Sequence, residues 1–161
     1  MKARKIAFLG MMLALMVVLS MAETMFLALP PHFKPGLANV VVMYVVFSVG
    51  KKEAVTLNIL KSLFVLIIRG GTAGLLSFCG GMFSIAIIIL LAHRKNPQFS
   101  YVFISICGAC MFNIGQLTAA SFLLNFDGIF YFLPIFLLVS IVTGGVCGVL
   151  VNYTPPTGWR L

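Results

Sequence analysis

Few side chains in this 161-residue chain could do chemistry, and most of those lie inside long apolar runs. Ionisable groups at such positions are costly, so they turn inward and mark a site by default. Lys61 and Arg69 supply positive charge that could meet an anion. Asn113 and Gln116, three residues apart, supply two amides at helical spacing, and Ala120 extends their face. Glu23 and Lys61 fall where they could pair across two helices; such a pair could also exist only to neutralise itself, or Glu23 could extend to the outer surface. Asn39, Asn58 and Ser77 add polar atoms, and Asn58 precedes Lys61 by three residues on one helical face. Phe26, Phe78, Phe112, Tyr131 and Phe132 supply apolar walls around this set. Apolar walls with a few convergent polar groups suit a small, partly apolar organic molecule. The candidate binding residues are therefore Glu23, Asn39, Lys61, Arg69, Ser77, Asn113, Gln116 and Tyr131. Hydrogen bonding between helices is the competing use for each amide.

Catalytic patterns are missing. Metal-assisted diphosphate chemistry needs clustered carboxylates to hold hard cations, and the chain has Asp127, Glu23 and Glu53 far apart. A Gly-rich phosphate loop with Lys and Ser or Thr is also missing. Cys107 and Cys110 have metal-pair spacing, but no second pair follows, and His32 and His93 sit in different loops. Two sulfurs do not close a tetrahedral site, so these thiols, with Cys79 and Cys147, read as packing groups. The sequence points to no enzyme, no cofactor and no metal.

The elements that must position the polar residues follow from composition. Hydrophobic residues make up 61% of the chain and charged ones 9%, against roughly 25% charged in soluble domains. Eleven Lys and Arg plus three Asp and Glu cannot coat a globule of this size. The chain therefore reads as an all-α integral membrane protein, one domain over residues 1–161. Apolar runs at about 6–29, 36–50, 54–68, 75–92, 101–124 and 129–151 predict six membrane helices. The first is too long for a cleaved leader and reads as an uncleaved span. The second and third are short; two short or partly buried helices fit better than one re-entrant hairpin, because a Lys51-Lys52-Glu53 turn deep in lipid would be costly. Regular alternation is missing, which argues against a β-barrel.

Six spans put both termini on one side. Lys2, Arg4, Lys5, Lys51, Lys52, Arg94, Lys95 and Arg160 fall on that side, against Lys34 and Arg69 on the other. By the positive-inside rule both termini are cytoplasmic. The net charge of +8 is thus a topology signal and not a nucleic-acid footprint. In the first helix Ala3, Ala7, Gly10 and Ala14 form small-xxx-small patterns that permit close contact with a partner helix. Gly144, Gly145 and Gly148 do the same in the last.

Several segments resemble a known family. Phe33-Lys34-Pro35-Gly36-Leu37-Ala38-Asn39 resembles its lead into helix 2, and Leu76 to Ser84 its Gly-Gly segment of helix 4. Asn113-Ile114-Gly115-Gln116-Leu117 resembles its "NxGQL" segment, and Tyr131-Phe132-Leu133-Pro134 with Thr143-Gly144 its last helix. This is the Gx transporter family, also labelled heptaprenyl diphosphate synthase component I, and it is similar to the substrate-binding S components of energy-coupling factor (ECF) transporters. The resemblance implies a six-helix S unit in a bacterial cytoplasmic membrane that binds its substrate in the outer half. It further implies docking through the small residues of helix 1 onto a transmembrane coupling subunit driven by ATPases. Two functions are expected from these readings. One is a membrane-embedded substrate-binding transport subunit for a small, partly apolar, anionic compound. The other is a non-catalytic membrane component associated with heptaprenyl diphosphate synthase and isoprenoid quinone metabolism.

Overall fold

The computed structural model describes residues 2–26, 36–92, 100–125 and 127–154. The Pro30-Pro31 stop, His32, Lys34, His93, the Arg94–Lys95 loop and Arg160 lie outside them, as do the side chains of Phe26 and Asp127. Six α-helices appear among the described residues: α1 (Lys2–Phe26), α2 (Asn39–Ser48), α3 (Lys51–Arg69), α4 (Gly71–Ala92), α5 (Tyr101–Leu124) and α6 (Leu133–Tyr153). A 3₁₀ helix, Asp127–Phe132, leads into α6, and no strand occurs among these residues.

Successive helices run antiparallel. At one end Lys5 of α1 donates to Glu53 of α3 across 2.5 Å, and the rings of Phe47 in α2 and Tyr101 in α5 meet edge to face at 5.3 Å. At the opposite end lie the close of α3, the start of α4 and the 3₁₀ helix. α4 and α5 form the centre, with α3 and α6 packed outside them. Glycine sets the α5–α6 distance: a Cβ at Gly144 would stand 2.7 Å from the Ile106 Cα, so only glycine lets the two backbones approach this closely.

Two turns depart from the expected boundaries. Lys51-Lys52-Glu53 is not a loop but the first turn of α3. Gly50, at φ 151°, makes the break together with Val49, the C-cap of α2, so the three charged residues are free to begin the next helix. Gly70, at φ 92°, breaks the chain between α3 and α4 in the same way, and α4 starts at Gly71 rather than near Leu75. α2 is shorter than expected, ten residues, or about 15 Å of helix. That is half of a membrane crossing.

Four segments are long and apolar enough to cross a membrane: Ala3–Glu23, Gly71–Ala92, Tyr101–Leu124 and Gly128–Tyr153. Side chains are distributed inside out relative to a water-soluble domain. Ile67, Phe122 and Leu138 are each more than 60% exposed (78%, 89% and 66%), whereas Glu23, Asn58, Lys61, Ser77, Asn113 and Gln116 are all buried. A surface of that kind is at home in hydrocarbon and a liability in water. The chain is an all-helical, multi-pass membrane protein. Its apolar core is in two parts, one around Met16, Val42, Val45 and Ile88, the other around Leu76, Leu117 and Phe136.

Candidate functional site

The start of α2 lies inside the bundle rather than at its edge. Gly36, at φ 89°, turns the chain into the helix, and its carbonyl accepts from the Asn39 N–H at 2.9 Å. A Cβ at Gly36 would stand 3.2 Å from the ring of Phe112, which is midway along α5. A helix N-terminus at this depth leaves backbone N–H groups that water cannot reach. Glu23 answers one of them: its Oε1 accepts from the Ala38 N–H at 3.1 Å. Carboxylates are favoured at such a helix end by the macrodipole.

Phe112 is the hub of the polar set. The Lys61 Nζ sits 5.3 Å from its ring centroid, within the range of a cation–π contact. Lys61 is 1% exposed. The Glu23 carboxylate acts on it electrostatically. On the other side of the ring, α4 comes close: a Cβ at Gly80 would stand 2.8 Å from the Phe112 carbonyl oxygen and 2.9 Å from Gln116 Cγ. Asn39 follows Ala38 and packs beside Gly36, and both of its buried amide atoms lack a hydrogen-bond partner. Lys61 of α3 thus stands over the Phe112 ring, Gly36 and Gly80 approach that ring with Asn39 and Gln116 beside them, and Glu23 of α1 holds the Ala38 N–H two residues after Gly36.

The remaining expected residues are placed differently. Asn113 faces α6: its Nδ2 donates to Ser140 Oγ at 2.5 Å and to the Phe136 carbonyl at 3.3 Å. Ser140 in turn donates back to the Phe136 carbonyl at 2.7 Å. Asn113 and Gln116 therefore do not share one face toward one cavity; a three-residue step turns about 60° around the axis, enough to send them to different neighbours. Arg69 is half-buried at the end of α3, in a crevice with Ser20 and Met21 of α1 and Phe64 on its own helix. Ser77 is fully buried on α4, one turn before Gly81, and its Oγ has no hydrogen-bond partner. Tyr131 is 88% exposed on the 3₁₀ helix and stands apart from the cluster. An exposed Tyr at this end suits a membrane interface.

Asn58, three residues before Lys61 on α3, has a tighter environment than spacing alone foretells. It presses on Gly81, where any Cβ would overlap its amide, and both amide atoms lack hydrogen-bond partners. Ala3, Ala7, Gly10 and Ala14 all lie on the exposed side of α1, and nothing stands within 4 Å of a Cβ built at Gly10. Among the described residues no three of His, Cys, Asp and Glu come together as metal ligands would.

A family model for heptaprenyl diphosphate synthase component I matches residues 12–154. The chain belongs to that family. The heptaprenyl diphosphate synthase component I match takes in the whole Phe112 cluster, while Ala3, Ala7 and Gly10 precede its first residue. No curated protein and no solved structure matches the chain.

Proposed function

We propose that this component I family member is a non-catalytic binding subunit, a six-helix bundle held in the bacterial cytoplasmic membrane with both termini in the cytoplasm. It takes a small, partly apolar, anionic compound at the Phe112 cluster, in the manner of an ECF S component. The observation that carries this reading is a fully buried Lys61 over the Phe112 ring, with buried Asn39 and Gln116 beside the glycines that approach that ring and Glu23 on the Ala38 N–H. Burying a lysine and several amides in lipid is costly, and a ligand that pairs with them offsets that cost. Lys61 and the N-terminus of α2 attract negative charge, Asn39 and Gln116 orient the ligand, and Phe112 gives it an apolar wall. Asn113 ties α5 to α6. The exposed small-residue side of α1 is the surface for a transmembrane coupling subunit, through which ATPases would drive release. The test is binding by the reconstituted protein: Lys61→Met and Gln116→Leu should each lower affinity for the native ligand at least tenfold. Unchanged affinity in both variants sinks the assignment.

The family's printed description favours a second reading, in which the protein is a membrane component that accompanies a heptaprenyl diphosphate synthase. That reading requires a soluble prenyl synthase to co-purify with it. It also requires the synthase's activity or product length to change when the membrane component is removed.

A further inference from the structure

α1 and α3 run in the same direction, and Lys5 pairs with Glu53 where both begin. Between the two helices lies a groove of about 350 Å³, as large as the smaller small-molecule sites, which begin near ~300 Å³. Its polarity changes along its length. Lys52 and Glu53, in the first turn of α3, stand at its mouth, and Leu57 and Leu60 follow further along the helix. Leu9 and Leu13 of α1 form the facing wall. From Lys52 to Leu60 is about 12 Å of helix. The rim is open, with Ile6 69% and Leu60 37% exposed. The charge at the mouth is unbalanced. Glu53 Oε1 accepts from Lys5, and a Cβ at Gly50 would stand 2.6 Å from Glu53 Oε2, so this carboxylate is folded over the start of its own helix. Lys5 is thus engaged by Glu53, and exposed Lys52 is left as the basic side chain lining the groove. In sequence, these two helix ends carry Lys2, Arg4, Lys5, Lys51 and Lys52 against the single acid Glu53.

We infer that this groove is a site for one anionic phospholipid, its phosphate on Lys52 and the upper part of one acyl chain along Leu57, Leu60, Leu9 and Leu13. Charge and polarity name the occupant. A cationic mouth above an apolar wall complements a lipid phosphate above its hydrocarbon, and basic pockets between membrane helices hold anionic head groups in this way. A zwitterionic lipid carries its own cation, which this basic end repels. The walls supply no preference, because lipid tails are as apolar as they are, so selectivity comes from the charge at the mouth. The site is separate from the Phe112 cluster, none of whose residues lines this groove. It holds whichever way the chain is oriented in the membrane. Gly10 lines the groove and also belongs to the exposed small-residue side of α1, so a bound lipid and a partner helix would compete for that surface.

The test is native mass spectrometry of the full chain in detergent micelles, titrated with phosphatidylglycerol or with phosphatidylcholine of the same acyl chains. The first phosphatidylglycerol should bind at least fivefold more tightly than phosphatidylcholine, which is about 1 kcal/mol, the worth of one lysine near an anionic lipid surface. Lys52→Glu should abolish that preference, and Lys52→Arg should keep it. Arg4→Glu is the charge-matched control. Arg4 is two residues before Ile6, about 200° around α1, and it does not line the groove, so this variant should keep phosphatidylglycerol affinity within twofold. Gly10→Leu tests the groove without altering charge. Nothing stands within 4 Å of a Cβ at Gly10, so the new side chain has room to enter the groove, and it should weaken phosphatidylglycerol binding at least fivefold. Equal affinity of wild type for the two lipids would overturn the inference. So would equal losses in Lys52→Glu and Arg4→Glu, which would show attraction to the basic surface as a whole. Unchanged binding in Gly10→Leu would refute the groove as the seat of the acyl chain.

Discussion

Removing either charge of the Glu23 and Lys61 pair should destabilise the bundle more than removing both. Lys61 is 1% exposed and Glu23 3% exposed, so neither charge can turn to water when its partner is lost. For charges about 4–10 Å apart, an effective dielectric near 20 gives an attraction of roughly 2–4 kcal/mol. Glu23 keeps the Ala38 N–H when Lys61 is replaced, and Lys61 keeps the Phe112 ring when Glu23 is replaced. These remaining contacts reduce the loss, so each single variant, Lys61→Met or Glu23→Gln, should cost about 1–3 kcal/mol. The double variant removes two buried charges at once and should be no worse than the milder single one, since apolar replacements of buried pairs are often neutral or stabilising. The measurement is a double-mutant cycle on unfolding in detergent micelles, with a coupling energy of about 1–3 kcal/mol expected. Additivity within about 0.5 kcal/mol would show that the two charges do not act on each other, and the electrostatic account of the cluster would fail.

Three further outcomes follow from the same geometry. Asn113→Ala removes both donor contacts to α6. At about 0.6 kcal/mol per interhelical bond, it should cost about 1 kcal/mol of unfolding free energy while leaving ligand affinity within twofold; a tenfold loss of affinity would return Asn113 to the binding site. Gly144→Ala puts a Cβ 2.7 Å from the Ile106 Cα, and backbone cannot step aside. It should lower stability by at least about 1–3 kcal/mol, read by thermal unfolding, and a neutral result would mean α5 and α6 are not packed this closely. The third concerns pH. Glu53 has its pKa lowered, first by the hydrogen bond from Lys5 and then by its own backbone N–H. A lowered carboxyl stabilises the fold above the ordinary carboxylate pKa and loses that contribution as pH falls through the lowered value. The stability difference between wild type and Glu53→Gln, under about 1 kcal/mol for a partly exposed pair, should therefore be flat from pH 6 to 8 and vanish in acid, as measured by unfolding across pH.

Some of this was legible in the sequence for identifiable reasons. The bounds of α5 match expectation because local chemistry marks both ends: Ser100 caps the first turn through Val102 N–H, and Asn125 adopts the left-handed conformation at φ 47°. The inward placement of Glu23, Lys61 and Gln116 follows from the cost of polar groups in hydrocarbon. The length of α2 was not legible, because an apolar run from Gly36 to Gly50 looks the same whether its first residues are helix or a buried turn. The start of α3 was hidden for a related reason: a charged triplet reads as a loop unless one glycine is known to complete the turn. An apolar groove of about 380 Å³ between α1, α2 and α6 was invisible too, because most of its residues are ordinary leucine, valine and methionine, and only the three-helix arrangement brings them together.

The central claim is that the Phe112 cluster holds an anionic ligand, and native mass spectrometry tests it most directly. Wild-type protein and the Lys61→Met variant would be purified gently from the same membranes and compared for bound small molecules. The account predicts a small, partly apolar anion retained by wild type and depleted at least tenfold in Lys61→Met. Equal retention in both proteins, or a wild-type protein carrying only bulk phospholipid, would contradict it.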